Sequence, residues 1–183
     1  MILTGQEIEQ QVTMGRIVID GFDPSRVEPN SYGFRLADTL LRYDDGVLDP
    51  AVPPNCERLV MDDSGLVLEP HRLYLGSTSE TMGSEHYAAT LYACRSVATL
   101  GMWIQFSAPL GHSGAIFPWT LEIAVAQRLR VYPGMVVGKI AFWALQGQSH
   151  RYAGKYTGSR SVVASRLAQE AVNGGRELVG TGR

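Results

Sequence analysis

After its first fourteen residues this chain abandons helical spacing, and apolar and polar positions alternate in short runs. Thr4-Gly5-Gln6-Glu7 has capping-box spacing, Ile8 and Val12 follow one helical turn apart, and Gly15 offers a stop, which predicts a helix over about residues 4–14. Period-two or continuous β-favouring runs then predict strands at Arg16–Ile19, Tyr32–Leu36, Leu40–Tyr43, Leu59–Met61, Leu66–Leu68, Arg72–Leu75, Met102–Phe106, Thr120–Ala126 and Met135–Leu145. Asp44-Asp45-Gly46 and Asp62-Asp63-Ser64-Gly65 carry turn chemistry, and Pro50 to Pro54 reads as a surface loop. Many short strands with regular turns and no internal repeat predict a mainly β domain, a barrel or sandwich with a few helical turns. Residues 1–167 read as one domain, and the polar segment 168–183 is expected to be a mobile tail.

The most apolar stretch, Ala115 to Ala126, contains one ionisable residue, Glu122. As a strand it puts Trp119, Leu121, Ile123 and Val125 on one face and Thr120, Glu122, Ala124 and Ala126 on the other. The first set suits a core. The second is small and polar and suits a pocket wall, where lost hydration turns a carboxylate into a usable general base. A solvent-facing Glu on a half-buried strand is the plainer alternative.

Composition narrows the field. The 183 residues carry a formal net charge of −2 and are 45% hydrophobic, enough for one globular domain with a core. The near-neutral balance argues against broad nucleic-acid binding. No apolar run is long enough to span a membrane, and the N-terminus lacks the pattern of a secretory signal. Cys56 and Cys94 are the only cysteines, which suits a reducing cytoplasm.

Candidate chemistry falls in four places. His71, His86, His112 and His150 are scattered without metal-ligand spacing, so no zinc site is expected. His112 alone draws attention, because Gly111-His112-Ser113-Gly114 leads into the Glu122 strand. Arg95 and Ser96 open a predicted helical turn and could present a guanidinium and a hydroxyl to a phosphate, or form an ordinary turn. Tyr152 to Arg160 mixes Lys155 and Arg160 with two Tyr and two Gly, the composition of a mobile segment that closes over an anion, or of a solvated loop. Cys94 reads as a small buried hydrophobe rather than a nucleophile.

Taken in order, these segments resemble the dCTP deaminase branch of the dUTPase-like superfamily. The resemblance rests on Ile2-Leu3 to Ile19, Asn30 to Leu36, Glu69-Pro70 to Gly76, Ser107-Ala108, Trp119-Thr120-Leu121-Glu122, Lys155-Tyr156 and Ala164-Ser165-Arg166-Leu167. It implies a distorted dUTPase-like β-barrel, a homotrimer with shared active sites for a pyrimidine deoxynucleotide, and zinc-independent deamination of dCTP to dUTP with Mg2+ on the triphosphate. Carried over, Glu122 and Ser96 are the catalytic candidates, and Arg95, Ser96, Ala108, Tyr152, Lys155, Ser159 and Arg160 the nucleotide-binding ones.

The chain also departs from the family pattern. Cys94, Arg95 and Thr99 stand where Arg, Ser and Arg are usual, Ser159 where Gln is common, and the loop before Glu122 lacks Asp-Pro-Gly. Losing a bidentate Arg is not neutral for a triphosphate. The readings therefore rank as a cytosine-nucleotide deaminase, then a non-catalytic nucleotide-binding or accessory trimer, then a dUTPase-type pyrophosphatase. The last is disfavoured because Ser107 to Gly114 contains no acid.

Overall fold

The computed structural model describes residues 1–173. Helix α1 (Gly5–Thr13) opens the chain, and the Thr4 hydroxyl accepts the Glu7 amide at 3.3 Å as the capping spacing requires. Then come β1 (Ile17–Ile19), a 3-10 turn at Pro24–Arg26, β2 (Val27–Glu28), β3 (Ser31–Arg35), β4 (Thr39–Tyr43) and β5 (Cys56–Val60). They are followed by β6 (Leu66–Leu68), β7 (Tyr74–Ser84) and β8 (Tyr87–Ala93). Helix α2 (Arg95–Thr99) leads to β9 (Met102–Trp103), β10 (Leu110–Gly111), β11 (Phe117–Val125), β12 (Leu129–Val131) and β13 (Val136–Ala144). Helix α3 (Leu167–Asn173) closes the described chain.

The strands form two main sheets and a small β12–β6 ribbon. One sheet has the order β5-β4-β7-β11-β9 with β1 added on β7, and the other the order β10-β8-β13-β3-β2. Side chains from both main sheets form one buried core that includes Phe34, Leu91, Ile140 and Phe142 from one and Leu40, Met82, Leu121 and Ile123 from the other. The architecture is mainly β with few helices, compatible with the dUTPase-like fold, but among the described residues the sheets do not close into one barrel.

The sequence pattern missed the short strands β2, β10 and β12 and underestimated the β7–β8 hairpin. The strand expected at Arg72–Leu75 runs on to Ser84 as β7, and β8 had no counterpart in the pattern. Gly76 to Ser84 has no apolar alternation, yet Ser77, Thr78, Glu80 and Ser84 are buried. β7 is flanked on one side by β4 and then β1, and on the other by β11, so its backbone groups are satisfied by ladders rather than by a hydrophobic pattern. Glu80 is tolerated inside because Arg26 pairs with it and Arg35 reaches it twice, with Nε at 2.8 Å from Oε1 and its amide at 3.0 Å from Oε2.

The segment expected to be a tail begins instead as helix α3, with Ala168 buried. The remainder, residues 174–183, lies outside the described residues.

Candidate active site

The ladder fixes which side chains share a surface. Opposite residues in antiparallel strands point to the same face. Glu122 pairs with Leu75, Leu75 pairs with Leu41, and Thr120 pairs with Ser77. Stepping by two along each strand puts Tyr43, Leu75, Thr120 and Glu122 on one face. Trp119, Leu121, Ile123 and Val125 are buried on the other, so the expected split holds for Thr120 and Glu122, while the Trp119 ring also reaches the cavity wall and Ala124 and Ala126 do not line it.

That face floors a cavity of about 440 Å3. Its walls include Gln105, Ala108, Gly111, His112, Tyr152 and Tyr156. Gly111 has to be glycine, since a Cβ there would lie 1.5 Å from the Trp119 ring. Glu122 is half-buried, and its Oε2 accepts the Phe106 amide at 3.0 Å and the Ser107 amide at 3.5 Å. The strand expected to reach Phe106 ends at Trp103; beyond it, the Phe106 and Ser107 N–H groups turn to the carboxylate. The Glu122 amide in turn donates to the Ile104 carbonyl at 3.0 Å, so both backbone and side chain of Glu122 are held by the 104–107 segment.

A strap from Arg151 to Arg166 crosses the cavity. Its start is anchored on buried Ser113, whose carbonyl accepts the Tyr152 amide at 2.7 Å and whose hydroxyl donates to the His150 carbonyl at 3.1 Å. Tyr152 stacks on His112 with centroids 6.0 Å apart and meets the Phe117 edge at 6.3 Å. Its ring folds back over Gly154, where a Cβ would come within 2.5 Å of it. Farther along, the Val163 amide donates to the Thr120 hydroxyl at 3.2 Å and the Ser165 amide to the Tyr43 hydroxyl at 3.0 Å.

With that geometry in place, known proteins can be compared. A family model described as dCTP deaminase-like matches residues 2–145, most of the chain. The chain belongs to the dCTP deaminase-like family. A dCTP deaminase of Rhodopirellula baltica is 39% identical over 171 residues, covering 93% of this chain and 86% of the relative. Proteins named dCTP deaminase, dUMP-forming, from Cytophaga hutchinsonii and Clostridium acetobutylicum are 37% and 35% identical, covering 98% and 100% of those relatives and 93% and 94% of this chain. The crystal structure of the 2'-deoxycytidine 5'-triphosphate deaminase of Agrobacterium tumefaciens superposes with a TM-score of 0.60 at 18% identity and shares the fold. That match covers 77% of this chain but only 47% of the other, so the chain spans about half of that protein's length.

In this dCTP deaminase-like protein the candidate residues fall into two groups. Glu122, Ala108, Tyr152 and Ser159 line the cavity. Arg95 and Ser96 are exposed on α2, Arg160 is exposed on the strap, and none of the three is part of the lining. Lys155 is also outside the lining: its Nζ pairs with Glu170 of α3, a hydrogen bond that holds its amine above the usual lysine range. Cys94 is a half-buried N-cap of α2 whose thiol is pushed up by burial, in keeping with an unreactive role. The residue reading missed Tyr43 and Gln105. No local signal marks them, since the β4–β7–β11 register and the 104–107 turn bring them to Glu122 from far away in the chain.

Proposed function

We propose that this protein hydrolytically deaminates a cytosine deoxynucleotide of the dCTP type, with Glu122 as general base and no zinc. The observation that carries the reading is the Glu122 carboxylate, fixed by two backbone amides in the floor of a cavity that a strap covers. The 35–39% identical relatives named dCTP deaminase support the substrate class. With Oε2 occupied by amides, Oε1 is the oxygen left to take a proton from water. Glu122 gives that proton to N3 as the hydroxide adds to C4 of cytosine. It then takes the remaining proton from the C4 hydroxyl and passes it to the amine, so ammonia leaves as the C4 carbonyl forms, giving dUTP from dCTP and water.

Among the described residues no three of His, Cys, Asp and Glu converge. On this reading Mg2+ would ride on the phosphate oxygens and offset their charge. We further propose a homotrimer in which α2 of a neighbouring copy supplies Arg95 and Ser96, since both are exposed and away from their own chain's cavity. Sedimentation at the mass of three chains is expected, and a monomer active at assay concentration would remove this part.

The test is to incubate the purified protein with cytosine and uracil nucleotides, with and without Mg2+, and to follow ammonia and pyrophosphate. Ammonia from a cytosine nucleotide that withstands a zinc chelator and disappears in Glu122→Gln is expected. Ammonia surviving that substitution would refute the assignment of Glu122. A second reading has a specific support: relatives named dUMP-forming imply loss of pyrophosphate as well as ammonia. Ser107 to Gly114 offers His112 but no acid for that step, so pyrophosphate release is expected to be slow or absent. Nucleotide binding with neither product would favour a non-catalytic binder.

A further inference from the structure

Thr120 and Tyr43 are the two cavity-floor hydroxyls that accept hydrogen bonds from the strap. Thr120 lies two residues from Glu122 on the same face of β11, and its Oγ1 receives the Val163 amide at 3.2 Å. Tyr43 lies two strands away on β4, and its phenol receives the Ser165 amide at 3.0 Å. The two donors are also two residues apart. The strap therefore steps from β11 to β4 across the floor between Val163 and Ser165, meeting one hydroxyl at each. Burial pushes the Tyr43 phenol above its ordinary range, so the hydroxyl keeps its proton while its lone pair accepts the Ser165 amide. Each hydroxyl is used as an acceptor, so its own O–H remains free to donate into the cavity.

We propose that Thr120 and Tyr43 are positioning residues that clasp the strap over the Glu122 cavity, coupling strap closure to nucleotide retention. The proposal rests on the deaminase reading for its kinetic consequence, but the clasp itself is a property of the chain. A strap seated by these hydroxyls encloses the nucleotide equally before and during the chemical step. Its loss therefore weakens binding rather than the reaction of bound substrate.

The experiment combines hydrogen exchange at the Val163 and Ser165 amides with steady-state kinetics on dCTP and Mg2+. The variants are Thr120→Val and Tyr43→Phe, which keep shape and remove the acceptor, and Thr120→Ser, which keeps the hydroxyl. Thr120→Val is expected to speed exchange at Val163 and to raise KM about fivefold, the scale of one net hydrogen bond, with kcat held within about twofold. Tyr43→Phe is expected to do the same through Ser165. Thr120→Ser should return both readouts to near the parent values. An unchanged melting temperature separates this from a folding defect. Exchange unchanged in both variants would overturn the clasp, and so would a fall in kcat at constant KM, which would place the hydroxyls at the chemistry. If the parent releases no ammonia from any cytosine nucleotide, the deaminase reading fails while the exchange measurement still decides the clasp.

Discussion

At the scale of single residues, the proposed mechanism places the chemistry on Glu122, and Gly111 sets the shape of its cavity. General-base catalysis contributes between about 10² and 10⁴-fold to a rate, so Glu122→Gln is expected to lower kcat within that range while the protein stays folded. Nucleotide affinity, read by calorimetry, should change far less. Gly111→Ala acts by a different route. A methyl group 1.5 Å from the Trp119 ring has nowhere to go, so the ring or β10 must shift. The expected cost is about 1–3 kcal/mol in urea unfolding, accompanied by a change in Trp fluorescence. The position of Glu122 was legible because β11 alternates cleanly and the carboxylate is alone in it. Gly111 was not, because its reason is a ring from the facing sheet.

At the scale of elements, the strap and helix α3 behave as one unit. Lys155 and Glu170 join them, the Ser165 amide reaches β4, and Ala168 is buried. Lys155 can meet a phosphate only by leaving Glu170. Glu170→Gln is therefore expected to lower KM for a nucleoside triphosphate by a factor of about 2–5, the weight of an exposed ion pair. Lys155→Met should raise KM. Titration of the two variants against phosphate count gives the check, since neither effect should appear with the unphosphorylated nucleoside. The strands were legible where an apolar face runs over several residues, as in β3, β4, β11 and β13, whereas the three-residue β12 and the alanine-rich β8 were not. The rest of β7, past Leu75, escaped because it buries serine, threonine and a glutamate. Such a strand exists only through its neighbours, so no local window contains the information. Tyr43 escaped for the same reason, as it joins the site only once the β4–β7–β11 register is set.

At the scale of the whole molecule, Glu80 ties pH to stability. Burial by itself pushes its carboxyl up, but the Arg35 amide together with the Arg26 and Arg35 guanidiniums outweighs burial and holds it below its ordinary value. A depressed folded pKa means the stabilisation is fully present above the unfolded value. It is lost as pH falls through the folded one. Thermal melts should therefore hold steady near neutrality and drop at pH values below about 4.5, the ordinary Glu value. In Glu80→Gln that acid-dependent drop should shrink, while stability at neutral pH falls by about 3 kcal/mol because half-buried Arg26 loses its charged partner. Equal slopes in the two proteins would show that other groups control acid lability.

The single ladder running through β4, β7 and β11 has one more consequence. Core residues and site residues alternate between its two sides: Leu40, Leu121 and Ile123 inward, Tyr43, Thr120 and Glu122 outward, with Trp119 reaching both. A slip of one residue in β11 would carry Glu122 and Thr120 into the hydrocarbon interior and turn Leu121 and Ile123 out to solvent. A misthreaded molecule cannot be partly active. Specific activity per folded chain therefore counts correctly threaded molecules, and any refolding yield measured by ammonia release should match the yield measured by Trp119 burial.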